Sequence, residues 1–307
     1  ISYVWNRWIR RYSGQSKPAL GVVIDALRRM EYRGYDSAGI ALLDGSGGMA
    51  VEKKAGKLDN LVATVESAGL ENYPATTGIG HTRWATHGRP TDINAHPHVD
   101  QLGKIAVVHN GIIENFAPLH AELEAQGVEF TSETDTETVT HLLHAEYYGE
   151  GPNAGNFTAS VMAVINRLEG AFTLVIAHAD HPDMLMACRR STPLVIGVGE
   201  HQMFLGSDVA AFIEHTREAV ELGQDNVVTI TADGYTITDF EGNPVEGRPF
   251  TIDWDLEAAE KCGYDYFMLK EIAEQPQALA DTLRGHFVDG RIVLAVSYTH
   301  LTLPTKA

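Results

Sequence analysis

Three stretches of the sequence concentrate side chains able to do chemistry. The first is Glu31-Tyr32-Arg33-Gly34-Tyr35-Asp36-Ser37. The second is His81-Thr82-Arg83-Trp84-Ala85-Thr86-His87-Gly88, followed by Asn94-Ala95-His96-Pro97-His98. The third is His109-Asn110-Gly111-Ile112-Ile113-Glu114-Asn115, followed by Ser132-Glu133-Thr134-Asp135-Thr136-Glu137. Each has a plain structural reading. Asn110-Gly111 reads as a type I′ hairpin turn, since both residues tolerate positive φ. Asp135 reads as a charge at a helix terminus and Arg83 as a surface cation. His81, His87, His96 and His98 would suit zinc by residue type, yet no cysteine joins them and their spacing fits no standard zinc pattern.

The elements that must position these residues follow from periodicity and punctuation. Pro18 to Arg29 reads as a helix: proline starts it, Val22, Val23, Ala26, Leu27 and Met30 form an apolar stripe, and Arg28-Arg29 suit the C-terminal dipole. Strands are expected at Gly39–Leu43, Gly78–Thr82 and Lys104–His109, and a helix at Ala117–Gln126 closed by Gly127. Thr134 and Glu137 match a capping box opening a helix that runs to about Tyr148. Asn156–Leu168 reads as a further helix. Strands then follow at Phe172–His178, Met184–Cys188, Leu194–Val198, Met203–Gly206, Asn226–Thr231 and Tyr235–Phe240, the last two joined by an Asp233-Gly234 turn. Strands in series with short turns imply antiparallel sheets, and the interspersed helices imply covering layers. Composition shifts near Gly242–Asp255, ahead of a helical stretch from Tyr266 to Leu283.

Charge narrows the partners. The chain has 307 residues, with Lys+Arg 23 against Asp+Glu 41, a net charge of −18. Such acidity offers no electrostatic footprint for nucleic acid or an anionic membrane. Apolar runs such as Pro193–Val198 are too short to span a bilayer. Two cysteines, Cys188 and Cys262, make no disulfide framework. No signal peptide is visible. A cytoplasmic, soluble protein is expected.

Taken together, the three clusters resemble the glutaminase domain of class II glutamine amidotransferases, which are N-terminal-nucleophile hydrolases. The likeness runs from about Pro18 to Arg291, and Lys270-Glu271-Ile272-Ala273-Glu274-Gln275-Pro276 resembles the entry to a sugar-isomerase half. The resemblance implies an α+β fold, a four-layer αββα sandwich. It divides the chain into 15–245, the glutaminase domain, and 246–295, a linker and truncated entry to the isomerase domain. It implies L-glutamine as substrate, with Arg83 taking the α-carboxylate through its planar fork and Asp135 taking the α-ammonium. Asn110 and Gly111 would supply the oxyanion hole, Thr86 and His87 would complete the glutamine pocket, and Arg33, Trp84 and His96 would support it. D-Fructose 6-phosphate would be aminated only in the missing isomerase domain, by a parent enzyme that is a homodimer and needs no cofactor or metal. Two other classes stand beside this reading: a non-catalytic glutamine-binding module, and a zinc hydrolase built on the histidines.

The family opens with Cys-Gly-Ile-Val-Gly, whose terminal thiol attacks the amide while the free α-amine serves as base. This chain opens Ile1-Ser2-Tyr3-Val4-Trp5-Asn6-Arg7-Trp8-Ile9-Arg10-Arg11 instead. Tyr3 to Arg11 can be encoded TAT GTG TGG AAT CGT TGG ATA CGT CGG. Read one base later, these codons give Met-Cys-Gly-Ile-Val-Gly-Tyr-Val. Residues 1–14 are therefore expected to be out of frame, and the chain as written to be inactive. Resequencing the DNA tests this. Asn6-Arg7-Trp8-Ile9-Arg10-Arg11 also places charges where a buried central strand is expected, so that region is expected to be displaced or disordered. Residues 296–307, containing Val296-Ser297-Tyr298-Thr299-His300-Leu301, resemble translated sequencing adapter.

Overall fold

A computed structural model describes residues 2–7, 19–85, 88–200, 202–231, 234–253, 267–283, 287–288 and 291–292. The chain divides into two compact units, Ile1–Leu256 and Glu257–Ala307.

Two antiparallel sheets make the first unit. Its strands are β1 (Ser2–Arg7), β2 (Ser37–Leu43), β3 (Met49–Ala55), β4 (Thr77–Arg83), β5 (His98–Val99), β6 (Ile105–Ile113), β7 (Gly170–His178), β8 (Leu185–Arg190), β9 (Val195–Gly199), β10 (Gln202–Gly206), β11 (Glu218–Glu221), β12 (Asn226–Thr231), β13 (Gly234–Asp239) and β14 (Arg248–Thr251). The eight-stranded sheet runs β14-β11-β9-β10-β1-β4-β2-β3, and the six-stranded sheet runs β13-β12-β8-β7-β6-β5. The helices are α1 (Ala19–Arg29), α2 (Leu58–Ser67), α3 (Phe116–Ala125), α4 (Asp135–Tyr148) and α5 (Phe157–Ile165).

Side-chain alternation assigns the layers. In β2, Ala38, Ile40 and Leu42 face α1 and α2, meeting Val23, Leu27, Leu58 and Leu61. Ala41 and Leu43, one residue out of phase, face the other sheet. In β6, Ala106 and Val108 enter that inter-sheet core, while Ile105 and Val107 pack against the α3–α5 layer through Leu123, Val139 and Val161. Strands buried on both faces explain why their sequences read as continuous apolar runs. The order is helix, sheet, sheet, helix: the four-layer αββα architecture expected from the sequence.

Several expectations change. Ser2–Arg7 is not displaced: its backbone fills a central strand position, pairing antiparallel with both β4 and β10. Two flanking strands each need a hydrogen-bonding partner, and this segment supplies it. Trp8–Arg11 lie outside the described residues. Strand β3 and helix α2 were not read from sequence, because Met49–Ala55 is all half-buried and follows a glycine-rich turn. Thr134 is the N-cap of α4 by backbone, but its side chain makes no capping bond. Glu137 reaches further back than a capping box requires, accepting from Thr131 N at 2.9 Å and Ser132 N at 2.6 Å.

In the second unit, α6 (Phe267–Leu283) covers the helical stretch expected there and carries Pro276 in its interior. A short hairpin pairs Phe287–Val288 with Arg291–Ile292. Among the described residues, no helix is long and apolar enough to cross a membrane.

Close approach of α1 to β4 depends on glycine. A Cβ on Gly80 would lie 2.5 Å from Val23 Cγ1 and 3.0 Å from Leu27 Cδ1, and one on Gly78 would crowd Leu42 and Val23. Gly80→Ala should therefore destabilise the first unit by about 1–3 kcal/mol. Thermal unfolding checks this, and adding Val23→Ala to make room should recover part of the loss.

Candidate functional site

The site forms where the ends of β4 and β6 meet the start of α4. Arg83, the last residue of β4, is 4% exposed. Its guanidinium donates to the carbonyls of Gly88 at 3.3 Å and Arg89 at 3.5 Å, and the Asp36 carboxylate lies 4.0 Å away. Burial pushes its proton affinity down, while Asp36, Asp135 and Glu133 pull it back up. Arg83 is therefore a buried cation within electrostatic reach of three carboxylates, not the surface charge its sequence position suggested.

Asp135 opens α4, is 5% exposed, and accepts the Ile113 N–H at 2.9 Å. Its other oxygen lies 3.4 Å from the Thr136 hydroxyl and 3.7 Å from His109 Nδ1. At the first residue of a helix, its charge also faces the positive end of the helix dipole. The Ile113 bond ties the end of β6 to the start of α4.

Asn110-Gly111 is not a hairpin turn. Both residues lie inside β6, where Asn110 pairs with Thr173 and Gly111 with Phe172. Gly111 has φ +125°, and a Cβ there would fall 1.9 Å from the Ala171 carbonyl oxygen. No other residue fits that backbone. The Asn110 carbonyl accepts from the Thr192 hydroxyl, and the Asn110 side-chain amide bonds to none of the described residues.

A stack of histidines joins β4 to β6. The His81 and His96 rings stack with centroids 4.4 Å apart, and His96 Nδ1 accepts the His109 N–H at 3.1 Å. Strand β5 pairs with β6 only at Val107 and Ala106, so the His96 imidazole takes over as backbone partner where β5 stops. Burial pushes the proton affinities of His81 and His96 well below the ordinary histidine value and that of His98 down to about 3. His98 Nε2 lies 2.9 Å from the Thr134 hydroxyl. Among the described residues, no group of three or more His, Cys, Asp or Glu side chains is arranged to hold a metal.

Arg33 and Trp84 have partners of their own. Arg33 donates to the Asp208 carboxylate at 2.6 Å and to the Tyr32 hydroxyl at 3.0 Å. Trp84 is 59% exposed, and its ring covers Gly34 so closely that a Cβ there would meet Cζ3 at 3.0 Å. Thr86 and His87 lie outside the described residues. Cys188 packs between the six-stranded sheet and its helices, and burial pushes its thiol up to about 12, so it is not a nucleophile at this site. Cys262 lies outside the described residues. Sequence reasoning gave no role to Asp36, although it stood in the first cluster. Asp36 accepts the Ala85 N–H at 2.5 Å, and its own N–H donates to the Arg83 carbonyl, so it holds β4 on both sides of Trp84.

The glutamine amidotransferase domain family matches residues 81–214. The glutamine–fructose-6-phosphate aminotransferase (isomerizing) of Mycolicibacterium smegmatis is 67% identical over 91% of this chain and 45% of its own length. Those of Streptomyces coelicolor and Corynebacterium glutamicum are 59% and 57% identical, over 91% and 90% of the chain and 44% of each relative. This chain thus spans less than half the length of these relatives. Among solved structures, glutamine phosphoribosylpyrophosphate amidotransferase from B. subtilis superposes with a TM-score of 0.64 at 22% identity, covering 80% of this chain and 50% of that one. That likeness establishes the fold as the class II amidotransferase type.

The buried histidines make stability depend on pH. His98 is neutral when folded down to about pH 3 but binds a proton below about 6.5 once unfolded, so the unfolded state gains protons as pH falls. Its contribution to stability should be intact above pH 6.5 and fall by roughly 2 kcal/mol at pH 5. Denaturant unfolding at pH 7 and pH 5 checks the slope, which His98→Gln should flatten.

Proposed function

We propose that this chain, a homologue of the glutamine amidotransferase half of glutamine–fructose-6-phosphate aminotransferases, is the glutamine-hydrolysing half of a longer enzyme, built to bind L-glutamine and release its amide nitrogen but inactive as written for want of the nucleophile. The observation that carries this reading is the convergence of a buried guanidinium, a buried carboxylate and the Asn110-Gly111 strand end. Glutamine has a carboxylate and an ammonium on one carbon and an amide at the far end. Arg83 takes the carboxylate through paired donors, and Asp135 takes the ammonium. The Asn110 side-chain amide and the Gly111 N–H receive the oxyanion as the amide carbon becomes tetrahedral. His96 holds β6 in place beneath them. By the family likeness Thr86 and His87 would complete the pocket, and Arg33 and Trp84 would help separate it from water.

The nucleophile is the thiol of a terminal cysteine with its own α-amine as base, supplied by the shifted reading frame that overlies Tyr3–Arg11. Pairing of the Ser2–Arg7 backbone with β4 supports this, because it brings that segment beside the strand ending in Arg83. The glutaminase domain comprises 15–245, and 246–295 leads into the isomerase half. The full-length parent is a cytoplasmic homodimer that converts D-fructose 6-phosphate and L-glutamine to D-glucosamine 6-phosphate and L-glutamate.

Glutamate release from L-glutamine tests the reading. The chain as written should release none, and a version opening Cys-Gly-Ile-Val-Gly should turn over. Equal turnover by both sinks the nucleophile assignment. In the active version, Asn110→Ala should lower kcat by roughly a hundred- to a thousandfold. Arg83→Lys should chiefly raise KM, because an ammonium cannot reproduce the fork.

A further inference from the structure

Arg83 and Asp135 ride on different elements, so a fixed separation between them needs a strut. The segment 88–94 lies beside both. The Arg83 guanidinium donates to the Gly88 and Arg89 carbonyls. The Arg89 carbonyl also accepts from Asn94 Nδ2 at 3.0 Å, and the same Nδ2 lies 3.0 Å from Glu133 Oε2. That carboxylate oxygen takes the Arg89 N–H at 3.2 Å, and the Glu133 N–H donates to Asn94 Oδ1 at 2.9 Å. An Asn and a Glu from different segments thus bond to each other twice, once through side chains and once through backbone.

The surroundings reinforce the clasp. Asn94 is buried and Glu133 is exposed, so the pair joins the packed segment 88–94 to the surface at the entry of α4. Gly88 has φ +75°, and a Cβ on it would fall 2.7 Å from Asn94 Nδ2 and 3.0 Å from Glu133 Cβ, so the segment closes on the pair without a gap. The bonds from Arg89 and Asn94 hold the Glu133 carboxyl below its ordinary range, so it stays ionised at neutral pH.

The geometry points to Glu133 as a positioning residue: with Asn94 it ties segment 88–94 to the residues entering α4 and so sets the span between Arg83 and Asp135. This rests on the glutamine reading given above. A set span favours ligands carrying carboxylate and ammonium on one carbon over ligands carrying only one of them. Glu133 itself acts through Arg89 and Asn94, not on the ligand.

Calorimetry with two ligands tests this, using the chain, Glu133→Ala and Glu133→Gln. The ligands are L-glutamine and 5-amino-5-oxopentanoate, which keeps the carboxylate and amide but lacks the α-amine. Glu133→Ala should weaken L-glutamine binding about tenfold or more while leaving the one-ended ligand unchanged, so the preference between them narrows. Glu133→Gln, whose carbonyl oxygen still accepts, should restore part of that preference. If thermal unfolding shows that the alanine variant has not folded, the glutamine variant carries the comparison, with an intermediate preference expected. Equal losses for both ligands, or an unchanged preference, overturn the positioning role. A parent chain that binds L-glutamine without preference over the one-ended ligand overturns the Asp135 assignment and the span argument, leaving Arg83 in place. A parent chain that binds neither ligand overturns the glutamine reading, and this inference falls with it.

Discussion

Two opposite charges removed from water constrain everything around them. Arg83 and Asp135 are each about nineteen-twentieths buried, and an ion taken out of water costs several kcal/mol unless polar groups replace its hydration. Here the replacements come largely from backbone: the Gly88 and Arg89 carbonyls for the guanidinium, the Ile113 N–H for the carboxylate. Backbone groups cannot be moved independently of their elements. β6 must run as far as Ile113, α4 must begin at Asp135, and the segment after β4 must turn back on Arg83. The positions of three elements are therefore coupled through two side chains, and each is over-determined by packing elsewhere in the sandwich.

The histidines show the same economy of polar groups. His81, His87, His96 and His98 suit zinc by residue type, but residue type does not distinguish a ligand from a buried neutral ring. Desolvation holds His81, His96 and His98 unprotonated. A neutral imidazole has one acceptor and one donor, which lets it substitute for a missing strand neighbour, as His96 does for His109. A cation there would repel Arg83 and the adjacent rings. The low proton affinities fit a structural role in holding β6, and they suit a site whose cation is already supplied by arginine.

How much could be read in advance depended on whether a signal was local. Periodicity placed α1, α4 and most strands of both sheets close to their observed limits, because two-sided burial leaves an apolar run that composition alone exposes. Strand β3 escaped because each of its residues is half-buried at a sheet edge, where Lys53 and Lys54 interrupt any alternation. The box read at Thr134 and Glu137 matched in spacing only: the glutamate found better donors in Thr131 and Ser132, and Thr134 turned to His98. Asn94 and Glu133 lie thirty-nine positions apart, a pairing that no short-range pattern can reveal. The candidate site was legible as wording, through its likeness to a family, while the supports beneath it were not.

Glycine shows why wording and geometry must be combined. Gly78 and Gly80 sit in β4, and Gly111 sits in β6; in sequence all are glycines inside apolar runs, which usually weaken a strand. Gly78 and Gly80 make room on the sheet face for Val23 and Leu27 of α1. They keep ordinary backbone angles, so their role is packing. Gly111 differs in kind. Its positive φ and its near-contact with the β7 backbone exclude every side chain, and the space a side chain would need is taken by the backbone of Ala171 and Phe172, not by a helix side chain packing onto the sheet. A strand that accepts such a residue in its interior, beside a half-buried asparagine whose amide bonds to none of the described residues, departs from what sheet stability alone would select. Departures of that kind concentrate where a backbone must meet something other than itself.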